Sequence, residues 1–74
     1  MIESKDNEEL TKIGQCIKEK RESQDLTMKE LSEKADISNA YISLLEKEKV
    51  SNPSVKVLKR IADALEIQLI ELVQ

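Results

Sequence analysis

Residues 27–47, TMKELSEKADISNAYISLLEK, decide the fold. They read as two short helices joined by a tight turn. Thr27 caps the first helix, and Glu30, three residues on, completes a capping box. Leu31 and Ala35 fall four apart and make one apolar stripe. Ser32 is small where two helices must cross closely. Asp36 falls where the chain turns, in a left-handed conformation that Asp tolerates better than most residues other than Gly. Ile37 plugs inward after the turn. Ser38 caps a second helix whose Ile42 and Leu45 point back to the same core. The outer face of that second helix is left with Asn39, Ala40, Ser43, Leu44 and Lys47. A short, mostly uncharged surface of this kind suits the floor of a DNA major groove.

Upstream, Leu10, Ile13 and Ile17 recur at spacings of three and four and predict a first helix over about 8–23. Gly14 within it allows another helix to come close. Cys16 sits near the edge of the stripe and reads as a half-buried small side chain rather than a redox group, which would need a special microenvironment. The recognition segment predicts a third helix over about 39–47. Downstream, a charged loop, EKEKVSNPS (46–54), holds the single Pro. Pro53 followed by Ser54 marks a helix start. The fourth helix, about 55–65, buries Leu58, Ile61, Ala62 and Leu65. A fifth, about 68–73, turns Leu69 and Leu72 inward. Short helix connections suit a compact helical bundle.

Composition narrows the function. Seventy-four residues make one domain, near the lower size at which a chain folds unaided. One Tyr and no Trp or Phe leave an aliphatic core, and the wealth of Glu, Lys and Leu points to an all-α fold. No apolar run is long enough to span a membrane, and the acidic MIESKDNEE at the start does not read as a signal peptide. One Cys forms no internal disulfide, which fits the cytoplasm. With no His and no glycine-rich phosphate loop, no catalytic residue, metal site, cofactor or enzyme activity is expected.

The net charge of −3 runs against phosphate binding. Residues 1–9 hold Lys5 against Glu3, Asp6, Glu8 and Glu9, which accounts for all of it. Removing one base and four acids from the twelve and fifteen of the whole chain leaves 10–74 neutral. The chain therefore divides into an acidic, frayed leader over 1–9 and a folded domain over 10–74. A neutral domain that grips DNA must do so by local arrangement of Lys and Arg.

The pattern resembles the Cro/cI family of helix-turn-helix proteins, also called Xre-like, and within it the DNA-binding domain of SinR-type repressors. The residues that carry the resemblance are IGQCIKEKR (13–21), LTMKELSEKADIS (26–38), YISLLE (41–46), NPS (52–54) and LKRIADALEI (58–67). No one of these is decisive; their order and spacing are specific. The resemblance implies a five-helix, lambda-repressor-like domain. It also implies sequence-specific binding of double-stranded DNA by a repressor, acting as a homodimer on an inverted repeat.

Carried over residue by residue, the resemblance places base contacts at Asn39, Ala40, Ser43 and Leu44. Asn pairs with adenine, Ala rests on a thymine methyl, and Ser is permissive. Asn39 has the plainer alternative of starting the helix. Leu44 either reads thymine methyls or packs sideways against Tyr41 or another chain. Tyr41 either reaches a phosphate or serves as a partly buried spacer. Thr27, Met28 and Lys29 open the second helix, where free amides and the dipole favour phosphate. Met28 stands where relatives often carry Gln, and it cannot donate as Gln does. Lys47, Lys49, Ser51 and Asn52 fall in the loop that follows the sugar-phosphate backbone in the family. The plain alternative is a solvated loop diluted by Glu46 and Glu48.

Arg21 and Glu46 match a family pair that orients the recognition helix. Asp36 and Glu48 stand where relatives often have Gly, and Glu48 suggests a loop that leaves the usual path. Ile67, Ile70 and Val73 look like spare apolar groups for a dimer contact. A different class of function, a protein-interaction module of antitoxin or adaptor type, uses the same fold. A place within a longer regulator is also open.

Overall fold

The computed structural model describes residues 13–50 and 52–73, with the side chain of residue 73 left undescribed. The acidic leader, Leu10, the start of the first helix and Ser51 lie outside the described residues. Five helices follow one another: α1 (Ile13–Ser23), α2 (Met28–Ala35), α3 (Asn39–Glu46), α4 (Val55–Leu65) and α5 (Ile70–Val73). No strand occurs among the described residues.

From α2 onward, each helix begins where the sequence supplies an oxygen for its free amides. Thr27 Oγ1 accepts from the Glu30 amide at 3.0 Å, and Glu30 Oε1 accepts from the Thr27 amide at 2.8 Å. This is the reciprocal capping box expected from TMKE. Ser38 accepts from the Tyr41 amide and Ser54 from the Val57 amide, both at 3.1 Å. At the short α5, Glu71 accepts from the Gln68 amide at 3.0 Å.

Every helix from α1 to α4 also ends in one way. In each, one amide bonds back three residues and the next bonds back five. The pairs are Asp25 and Leu26, Asp36 and Ile37, Glu48 and Lys49, and Glu66 and Ile67. This is the Schellman pattern, which needs a left-handed residue at the first position of each pair. Asp25, Asp36, Glu48 and Glu66 have φ of 58°, 58°, 59° and 60°. The chain fills these positions with acidic residues, although Gly would adopt them without strain. Glu48 therefore keeps the left-handed turn that its side chain had put in question.

The single Gly is placed elsewhere. A Cβ at Gly14 would run into the Leu45 carbonyl oxygen and lie 3.1 Å from Glu48 Cγ. Gly14 lets α1 lie directly against the end of α3.

The core is aliphatic: Ile17 from α1, Leu31 and Ala35 from α2, Ile42 and Leu45 from α3, Leu58, Ile61, Ala62 and Leu65 from α4, and Leu72 from α5. Leu69, expected inward, is half-buried against this cluster, as is Cys16. α2 packs on α3 and α4, while α1 packs on α3, α4 and α5. α3 is thus held from two sides, by its motif partner α2 and by α1.

Candidate DNA-reading surface

α3 has two unlike faces. Ile42 and Leu45 are 0% and 2% exposed and fix its inner side. Asn39, Ala40, Leu44 and Lys47 are exposed, and Ser43 is half-buried. Tyr41 is half-buried and packs against the core, so it is at least a spacer beside the outer face. Leu44, at 45% exposed, is not absorbed by this packing. The outer surface therefore contains the set anticipated from the sequence, and no charged side chain interrupts it between Asn39 and Leu45.

The tilt of α3 is set by Arg21. Its guanidinium donates from Nε to Glu46 Oε2 at 2.7 Å and from Nη2 to Glu46 Oε1 at 2.9 Å. Its Nη1 donates to the Leu26 carbonyl at 2.7 Å, and the Leu26 amide in turn donates to the Arg21 carbonyl. One side chain thus joins the end of α1, the entry to α2 and the last turn of α3. The two partners' side chains are 11% and 6% exposed. A bidentate guanidinium–carboxylate pair out of water is charge-assisted and directional. The hydrogen bond to Glu46 raises the Arg21 pKa further above its already high ordinary value, against the opposing effect of burial. The pair orients; it has no chemistry to perform.

The turn that closes α3 differs from the other three in one respect. The residue after the left-handed position is apolar in three of them: Leu26, Ile37 and Ile67 are each packed against the core. After Glu48 it is Lys49, which is exposed. Val50, one residue later, takes the place against the core. The backbone device that elsewhere inserts a hydrophobic plug here presents an ammonium at the end of α3, beside the exposed Lys47.

The remaining sequence-predicted residues distribute as follows. Thr27 and Lys29 are exposed at the start of α2, whereas the Met28 side chain packs against the core. Only the backbone amide of Met28 is left to meet a phosphate. Asn52 is exposed in the loop, and Ser51 lies outside the described residues. Of the apolar groups expected at a dimer contact, Ile67 is half-buried against the core, Ile70 is 59% exposed, and the Val73 side chain is not described.

Several supports join residues far apart in the sequence. Gln24 Nε2 donates to the Leu65 carbonyl at 2.6 Å, closing the end of α4 from the α1–α2 turn. Arg60 Nη1 reaches the Asp36 carbonyl at 3.5 Å, and Lys20 reaches Glu71 at 3.5 Å. The long-range polar contacts carry no local sequence signal. The plugs do: an acidic residue just past a helix, followed by Leu or Ile, occurs at 25–26, 36–37 and 66–67.

Charge is arranged unevenly. Glu19, Glu22, Glu46 and Glu48, with Gln15 and Lys18, line a shallow hollow between α1 and α3. That acidic side would repel phosphate. The cations of the α3–α4 loop and of the α2 start lie outside it.

A helix-turn-helix family model matches residues 17–72. The chain belongs to this family. Within the helix-turn-helix family it is 33% identical over 57 residues to the HTH-type transcriptional regulator SinR of Bacillus subtilis, covering 77% of this chain and 51% of SinR. It is 40% identical over 57 residues to the immunity repressor protein of Bacillus phage phi105, covering 77% of this chain and 39% of that protein. The chain thus spans about half the length of SinR, or less of the phage repressor.

The solved N-terminal DNA-binding domain of SinR from Bacillus subtilis superposes with a TM-score of 0.83 at 31% identity, covering 86% of this chain and 93% of that one. A crystal structure of SinR in complex with DNA, described as the master regulator for biofilm formation, gives 0.81 at 32% identity, covering 84% and 98%. The five-helix, lambda-repressor-like architecture of a SinR-type domain is therefore what this chain has, and the relatives are regulators rather than enzymes.

Proposed function

We propose that this domain binds double-stranded DNA sequence-specifically through the outer face of α3 and represses transcription by occupying promoter DNA. The observation that carries the reading is the clasped posture of α3. Its base-facing side chains stand outward while Gly14 and the Arg21–Glu46 pair hold its inner side. Support comes from the matching fold of SinR, solved in complex with DNA, and from relatives that are a transcriptional regulator and a phage repressor.

Asn39, Ala40, Ser43 and Leu44 read base edges. Thr27, Lys29 and the Met28 amide meet a phosphate at the start of α2. Lys47, Lys49 and Asn52, with Ser51 beside them, follow the backbone after α3, and Tyr41 flanks them. Phosphate contacts position the domain, and base contacts specify the site. Such a role places the protein in the cytoplasm with the chromosome. One α3 of eight residues reads only a few base pairs. Two copies on an inverted repeat, with half-site centres ~34–36 Å apart, supply enough sequence. Ile67, Ile70 and Val73 around α5 supply their contact, with Ile70 exposed and Ile67 half-buried.

A second reading, an antitoxin-type or adaptor module, is favoured by the neutral charge of 10–74 and by Val55 and Ile70, 67% and 59% exposed. Titration with duplex DNA at several salt concentrations separates the two. A DNA reader loses affinity steeply as salt rises, roughly in proportion to the phosphates it neutralises. Absence of binding to random duplex and to any duplex enriched from a random pool overturns the proposal. A tight complex of one chain per duplex with an asymmetric footprint overturns the dimer.

A further inference from the structure

Resting on that reading, we infer that α3 recognises thymine by its 5-methyl group, with Leu44 as the residue that sets this preference and Ala40 as its companion. Of the three apolar residues near the end of α3, Ile42 and Leu45 are buried at 0% and 2%, and Leu44 is left 45% exposed. Ala40, four residues earlier, is exposed on the same side of the helix. Residues four apart on a helix stand about 5–6 Å from each other at Cβ. Base pairs along DNA repeat at about 3.4 Å. Leu44 and Ala40 therefore address positions one to two steps apart in the major groove.

The chemistry of the surface selects the base. Guanine is read most often by Arg or Lys, and cytosine through a carboxylate that accepts from its amino group. From Asn39 to Leu45 the outer face offers neither charge. Glu46, the carboxylate next in line, has both oxygens committed to Arg21. Lys47, exposed at the C-cap of α3, is given on the same reading to the sugar-phosphate backbone. What remains is an amide for adenine at Asn39, a permissive hydroxyl at Ser43 and two apolar groups. The thymine methyl is the one apolar group that a base pair exposes in the major groove. A half-site rich in A·T pairs follows, read by methyl contact rather than by shape alone.

The test uses a duplex enriched from a random pool by the full chain, resynthesised with deoxyuridine replacing each half-site thymidine in turn. Uracil removes only the methyl. Burial of one such group is worth about 0.8 kcal/mol, or about fourfold in affinity. The wild-type chain should lose about fourfold at one or two positions. Leu44→Ala should bind thymine and uracil at one of those positions with nearly equal affinity. Circular dichroism should be unchanged, because Leu44 is not part of the core. Failure to enrich or bind any duplex sinks the DNA-reading proposal and this inference with it. Tight binding with uracil tolerated at every position leaves DNA reading intact and overturns the methyl inference. An undiminished uracil penalty in Leu44→Ala, with Ala40→Gly equally sensitive, overturns the assignment to these residues.

Discussion

The turn that ends α3 and the turns that end α1, α2 and α4 share one backbone path and are secured by different means. Three are fastened by their own sequence: Leu26, Ile37 or Ile67 follows the left-handed residue and inserts into the core. The fourth carries Lys49 at that place and is fastened from outside, by α1 lying on it at Gly14 and by Arg21 gripping Glu46. With Lys49 exposed at that place, the apolar contact of this turn falls one residue later, to Val50. α1 adds a second hold through Gly14 and Arg21, so the orientation of α3 depends on residues outside its own outer face.

That contrast can be broken at its strongest point. Arg21→Ala should cost about 3–5 kcal/mol, because it leaves the Glu46 carboxylate buried without a partner. Against a total of about 5–15 kcal/mol for a small domain, this is a large share. Urea unfolding measures it. Unchanged stability with lost DNA binding would instead make Arg21 a direct contact.

Gly14→Ala comes next. The added methyl meets a backbone carbonyl, which cannot rotate aside as a flexible side chain can. Overpacking of this sort costs about 1–3 kcal/mol. Its mark should be a displaced α3, with DNA affinity reduced even at temperatures where the variant is fully folded. An unperturbed thermal midpoint would mean that α1 is free to slide away.

Exchanging the plugs sharpens the comparison. Ile67→Lys should lose about 1–2 kcal/mol through lost apolar burial, measured by chemical denaturation. Lys49→Ile should leave stability within about 0.5 kcal/mol. It should nevertheless weaken specific and random DNA alike and flatten the salt slope by about one unit. A Lys49→Ile variant with an unaltered slope would remove Lys49 from the phosphate contacts.

The left-handed residues supply a gain. Glu48→Gly and Asp36→Gly relieve about 1–2 kcal/mol of strain each, offset by the greater freedom of unfolded Gly. A net gain of up to about 1 kcal/mol per site should appear as a higher urea midpoint.

The smallest effect concerns α5. The Gln68 amide, and after it Lys20, holds the Glu71 carboxyl below its ordinary pKa. Because the folded value lies below the unfolded one, this contribution is fully present above the unfolded value and fades as pH falls through the folded one. Amide exchange at Leu72 should rise in acid relative to the α3 amides, and Glu71→Gln should abolish the difference. The guanidinium of Arg21 is held charged across the same range, so the clasp has no such dependence on its side.

How much of this was legible follows from the range of each interaction. The caps at Thr27, Ser38 and Ser54 and the stripes of α2 and α4 are local, and they could be read directly from residues three and four apart. Arg21 with Glu46 was reached only through family resemblance, since nothing local couples residues 25 apart. The left-handed positions at Asp25 and Glu66 are not legible from residue type; the apolar residue following each is the usable signal. Ile67 reads as spare surface in the sequence, and its half-burial depends on where the α4 turn aims it. The outer face of α3 was legible by subtraction: once Ile42 and Leu45 were assigned inward, the rest had to face out.

Tyr41 has one more consequence. It is the chain's one aromatic residue, and it stands on α3 beside the outer face. All near-ultraviolet dichroism and intrinsic emission above the peptide background therefore originate on this helix. Far-ultraviolet dichroism counts all the helices together. A helix that has lost its posture without unfolding would change the first signal and leave the second still. The domain thus carries a built-in optical reporter on α3, with no label to add.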